Sequence, residues 1–171
     1  MASQFSLPYQ LPPIDLIAPQ ANGSLITSGY VNLRNALKAW LVVKINQGNA
    51  ATVAITPQQA TSLTGTGAKA LGNSGLTSQP GAQIWLVDNT STSGGSDLLV
   101  AQTAALNFTT DALLQQKIVI FEIVPEEFLD IPNGFNHLGV SIAASNAANI
   151  VTATLHLYES YQGQSQPTTY V

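Results

Sequence analysis

The sequence predicts an all-β protein: a single antiparallel β-sandwich, jelly-roll-like, of about eight strands, with an extended N-terminal arm. Three observations predict it. Only 8% of the 171 residues are charged, and Ser, Thr, Asn and Gln outnumber the charged residues about four to one. Helical bundles and coiled coils cover their wet faces with Glu, Lys and Arg, whereas amide and hydroxyl side chains suit strands and turns. Short runs rich in Val, Ile, Leu and Thr recur along the chain, each bounded by Gly, Asn or Pro. Long amphipathic helical patterns are absent, which excludes parallel α/β folds.

Residues 1–26 differ from the rest. They hold Pro8, Pro12, Pro13 and Pro19 and one charge, Asp15. Proline fixes φ and removes a donor, so this stretch is neither helix nor central strand. It nonetheless carries Phe5, Leu7, Tyr9, Leu11, Ile14, Leu16 and Ile17. So apolar a segment is expected to dock, either on its own domain or on a neighbour. These seven residues are the candidate partner contacts, and deleting 1–26 is expected to leave a folded domain. Residues 27–160 form the predicted sandwich and 161–171 a polar tail.

Strand signals start at 30–33 and strengthen at 39–45, where β-branched and aromatic residues follow one another. A turn cluster at 46–49 leads to alternating residues 51–56, which stop at Pro57; together these read as a β-hairpin. Residues 57–81 read as a long connection with one helical turn at 58–60. Strands follow at 84–87, 98–100 and 106–109, with a polar hinge at 88–96. Residues 117–124 form the clearest strand. Its near-continuous apolar run implies burial on both faces, or one face in the core and one at an interface. A single helical turn at 126–129 precedes strands at 137–143 and 150–158, read as neighbours across the turn at 145–149.

Composition also limits function. A net charge of −4 with five Lys plus Arg argues against a nucleic-acid surface. The absence of Cys excludes disulfides, thiolate zinc and a thiol nucleophile. No run is long and apolar enough to span a membrane, and no secretory signal is read. Four of the five cations, Arg34, Lys38, Lys44 and Lys69, precede all the acids except Asp15. Interleaving in the fold would dilute this asymmetry; head-to-tail assembly would use it as complementary patches.

No catalytic constellation emerges. Residues 65–70, Gly-Thr-Gly-Ala-Lys-Ala, match the letters of a dinucleotide fingerprint, but Gly72 and Gly75 exclude the helix which that motif needs. His137 and His156 fall on strands read as adjacent and could face each other, yet a metal would require a third ligand such as Asp130 or Glu159. Asp88, Asp97 and Asp111 lie in or beside polar loops without calcium-loop spacing. Glu126, Glu127 and Asp130 are the one acidic cluster, and Gly-x-Ser-x-Gly is missing. The expectation is therefore a non-enzyme with no cofactor and no metal.

Several phrases resemble a group of small virion-associated proteins of tailed bacteriophages. They are INQGNAATVAITP at 45–57, QAT at 59–61, GTGAKA at 65–70, IW at 84–85, NGF at 133–135 and ASNAANI at 144–150. The resemblance covers roughly residues 28–158. It implies a structural virion protein made in the bacterial cytoplasm: a capsid decoration or cement protein. Such a protein would bind the major capsid protein on the head surface through arm and sandwich. It would form a symmetric homo-oligomer, a trimer by analogy with proteins on threefold capsid axes, with neither nucleic acid nor membrane as partner. The alternative is a carbohydrate- or receptor-binding sandwich of a phage head or tail fibre. In that reading Tyr158, Tyr161 and Tyr170 are the exposed aromatic candidates, and Trp40 and Trp85 pack in the core.

Overall fold

Among the described residues, eight strands of six or more residues carry the architecture, with four two-residue strands as ties between them. A computed structural model describes residues 11–88 and 98–159. In chain order the strands are β1 (Pro13–Ala21), β2 (Ile26–Thr27), β3 (Val31–Asn32), β4 (Ala36–Gln47), β5 (Ala54–Ala60), β6 (Lys69–Ala70), β7 (Ala82–Asp88), β8 (Val100–Ala105), β9 (Phe108–Thr109), β10 (Gln116–Ile123), β11 (His137–Ile142) and β12 (Asn149–Glu159). A one-turn helix α1 (Pro125–Phe128) and a 3-10 turn (Ile131–Asn133) lie between β10 and β11. All pairings are antiparallel. The larger sheet runs β1-β12-β4-β10-β7-β8, and the smaller β2-β11-β5-β6, with β3 also on β11 and β9 also on β5. The protein is the predicted all-β sandwich, and the chain crosses between sheets at most of its connections.

Period-two patterning chooses the inner faces. On β4, Ala39, Leu41, Val43 and Ile45 are buried. Register places Leu41 between Phe121 of β10 and Leu155 of β12, and Val43 between Val119 and Ala153. Ile55 of β5 and Leu138, Val140 and Ile142 of β11 close the core from the smaller sheet. Fully burying a side chain of this size is worth about 1.5–3 kcal/mol. Clustered on central strands, these residues dominate stability.

Two predicted hairpins are not hairpins. β4 and β5 lie in different sheets, and so do β11 and β12. The turn residues were legible, but each turn is a corner between layers. Asparagine and glutamine secure these corners. Asn149 accepts the Asn49 backbone N–H at 2.9 Å through Oδ1, and Gln47 Nε2 donates to the carbonyls of Ala51 and Asp111 at 2.9 and 2.8 Å.

Pro57 does not end its strand; it sits inside β5 opposite Val140. Val140 directs both backbone groups toward Ser28: its N–H donates to Ser28 Oγ and its carbonyl accepts the Ser28 N–H. Pro57 therefore faces the other flank of β5. There β9 pairs with Ala54 and Ile55, β6 pairs with Gln58 and Gln59, and among the described residues none pairs with Pro57. The missing donor breaks no ladder bond. Residues 58–60, read as a helical turn, continue this strand, and buried Gln59 is one of its inner positions.

The N-terminal segment docks on its own domain from Pro13 onward. β1 is an edge strand on β12, with register shifts after Asp15 and after Ile17. Ile17 is 3% exposed, and Ile14 and Leu16 pack against the core. Leu11 is half-buried, and its carbonyl lies 3.0 Å from His156 Nδ1. Deleting 1–26 would strip this edge and uncover β12, so the expectation that the remainder folds unchanged is revised. Phe5, Leu7 and Tyr9 lie outside the described residues, as does the tail at 161–171.

Candidate interaction surface

The far edge of the larger sheet is built differently from β1. β8 reads Val-Ala-Gln-Thr-Ala-Ala, without charge or proline, and among the described residues it pairs only with β7. It is mostly exposed. Sequence reading placed a strand at 98–100 and missed 101–105, because alanine has little strand propensity. Pairing with β7 decided it instead. Leu98 and Leu99 precede the strand, at 66% and 42% exposure.

The loop before β10 adds to this end. Register sets Val100 opposite Leu86 and Lys117 opposite Asp88, so both segments converge on the same end of the sheet. Leu113 and Leu114 are 54% and 64% exposed. Their loop is shaped by Asp111, whose Oδ1 accepts the Leu113 N–H at 2.9 Å. Below the loop, the Lys117 side chain is 1% exposed. It pairs with Asp111 and, at 3.3 Å, with Asp88. Burial alone would raise the Asp111 carboxyl, but hydrogen bonds from Lys117 and Leu113 and the Lys117 charge hold it below its ordinary value. Thus two of the loop aspartates considered for calcium compensate a buried ammonium; Asp97 lies outside the described residues.

The outer face of the larger sheet holds both tryptophans, not the core. Trp40 and Trp85 are half-buried, on β4 and β7. Between them, on β10, Glu122 accepts a hydrogen bond from Trp85 Nε1 at 2.8 Å and pairs with Lys38. Burial alone would raise the Glu122 carboxyl; bonds from Lys38, Trp85 and Trp40 outweigh it and hold it low. Lys38 Nζ also lies 5.3 Å from the Trp40 ring centroid. Val42, Ile118 and Ile120 share this face. β10 thus buries one face in the core, while its other face, with Ile118 and Ile120, is half-buried, so it is not buried on both faces.

The remaining candidates are structural. His137 is on β11 and His156 on β12, in different sheets, so they are not cross-strand neighbours. Burial lowers the His137 pKa. Glu126 and Glu127 point to solvent, whereas Asp130 is buried and accepts from Ser74 Oγ at 2.7 Å, Asn133 Nδ2 at 2.9 Å and Lys69 Nζ at 3.0 Å. The bonds from Ser74 and then Lys69 lower its pKa to about 2. With Gln59, which accepts the Asp130 N–H and donates to the carbonyls of Ala70 and Gly72, this cluster pins the long connection. In the 65–70 stretch, Gly65 has φ of 81°, and a Cβ there would come 2.6 Å from the Tyr30 ring. That glycine makes room for a tyrosine, and β6 follows where a nucleotide motif needs a helix.

Two of the four early cations, Lys38 and Lys69, thus pair with acids from the later half of the chain, so part of the charge asymmetry is interleaved within one molecule. Among the described residues, no group of three His, Cys, Asp or Glu side chains converges as metal ligands, and no helix is long and apolar enough to cross a membrane. Comparison with protein-family models, curated proteins and solved structures finds no match to this chain.

Proposed function

We propose that the protein is a non-enzymatic structural component of a tailed-phage particle, a decoration or cement protein on the capsid surface. In this reading it binds the major capsid protein and copies of itself, as a trimer. The observation that carries the binding role is the exposed apolar end of the larger sheet: Leu98, Leu99, Leu113 and Leu114 beside the uncharged edge β8. Exposed apolar patches of this kind mark protein contacts, and an unguarded edge strand offers backbone groups for a partner strand. The phage assignment rests on the phrases between residues 45 and 150. Support for a non-catalytic role comes from the carboxylates: Asp88, Asp111, Glu122 and Asp130 each engage a lysine.

The test uses heads of the encoding phage produced without this protein. Wild-type protein should co-sediment with them saturably and raise the temperature at which they release DNA. A Leu113→Ser/Leu114→Ser variant should keep its melting temperature and lose most of that binding. Wild-type protein that leaves the heads unbound overturns the decoration reading. A variant that binds as well as wild type overturns the role of the apolar end.

A further inference from the structure

We infer that the outer face of the larger sheet, centred on Trp85, Glu122 and Trp40, is a binding site for a neutral oligosaccharide. This goes beyond the virion role and uses a different surface from the apolar end.

The chemistry of the face selects the ligand. A pyranose offers one apolar C–H face and a rim of hydroxyls. It is recognised by half-exposed indole rings flanked by fixed polar groups, and tryptophan joins a large apolar surface to a polar handle. Here the indole N–H of Trp85 is turned onto Glu122 at 2.8 Å, so the ring orientation is set before any ligand arrives. Pre-organised rings lose little entropy on binding. Glu122 keeps acceptor capacity beyond its bonds to Lys38 and Trp85, because an ionised carboxylate has about four lone-pair sites. Lys38 likewise keeps N–H donors for hydroxyls. Gln83, opposite Glu122 on β7, uses its amide nitrogen on the carbonyls of Ile84 and Gln102, which leaves its oxygen as an acceptor.

Geometry and charge narrow the class. Trp40 and Trp85 lie two strands and two residues apart, since Trp40 faces Glu122 and Trp85 faces Ile120. Standard sheet spacings then separate their Cα atoms by about 12 Å, a span for several linked sugars rather than one. Lys38 and Glu122 neutralise each other, so nothing at the centre of the face favours an ionic ligand. A second copy of the chain fits this face less well. Sheet-to-sheet contact would bury the Lys38–Glu122 pair and Lys44, a desolvation cost that apolar contact does not repay.

The chain has two tryptophans, and both lie here, so tryptophan emission, excited at wavelengths beyond tyrosine absorption, reports on this face. The experiment titrates the full-length protein with gluco-, galacto- and N-acetylglucosamine oligosaccharides and follows the emission. A saturable shift is expected with at least one series, growing with chain length. By calorimetry, Trp85→Ala should weaken that binding at least tenfold, with Trp85→Phe in between and melting temperatures confirming the fold. Leu113→Ser/Leu114→Ser should bind sugar as wild type does. No shift and no heat with any series up to about 10 mM, where only negligible affinities escape detection, overturns the proposal. It is also overturned if emission shifts with protein concentration while the scattering mass rises, which assigns the face to self-contact. Failure to bind heads would leave the sugar result standing, and the reverse holds as well.

Discussion

The two edges of the larger sheet solve the same problem in opposite ways. β1 carries Pro13, Pro19 and Asp15, bends at two register shifts and sends Ile14 and Ile17 into the core. Prolines, charges and bulges are the devices that stop an edge from recruiting another strand. β8 has no proline and no charge, and it is flanked by exposed leucines. One edge is guarded and packed into the fold; the other, among the described residues, is unguarded and mostly exposed. The contrast teaches that one side of the sheet is sealed into the fold, while the proposed partner contact falls on the other.

The largest effect should come from Ile17→Ala, which should destabilise the protein by about 2–5 kcal/mol in chemical denaturation. Val100→Ala, at the other edge and 47% exposed, should stay within about 0.5 kcal/mol of wild type. Equal losses at the two positions would erase the distinction. Placing a guard on the open edge sharpens it: Thr103→Lys should leave the melting temperature unchanged and reduce association, measured by light scattering or head co-sedimentation, at least tenfold.

Acid should also separate the two sides. The carboxyl of Asp111 is lowered on folding and that of Asp130 lies at about 2, so both contribute stability above the unfolded value of about 3.9. That contribution falls as pH drops through the folded values. Between about pH 4 and pH 2, protection from hydrogen exchange, measured against the intrinsic rate at each pH, should therefore fall first around the Lys117 end of β10 and in the pinned connection, while β1 and β12 keep theirs. Faster exchange in β1 first would contradict this. A modest loss is expected of Thr152→Val. It removes the hydroxyl that donates to the Ile17 carbonyl at 2.7 Å, and should cost about 1 kcal/mol by denaturation, with local exchange rising in β1.

The amino-acid sequence alone determined the class of fold and the inner face of most strands. Alternation on β4, β10 and β12 is a local property, and burial must follow it once one face is covered. The sequence also led to the expectation that the apolar segment around Ile14 and Ile17 docks rather than hanging free. Only the tertiary structure decided which sheet each strand joins. A turn such as 46–49 or 145–149 reads the same whether it reverses within a layer or crosses between layers, so two corners passed for hairpins and two histidines for neighbours. Pro57 is tolerated inside β5 because two short partners leave a gap at its flank, and Gln59 is buried because it bonds residues far along the chain. The tryptophans look like core residues in a strand pattern, and their place on the outer face depends on register across β4, β10 and β7. Periodicity says that two faces differ; which one meets the other sheet is settled by packing between distant segments.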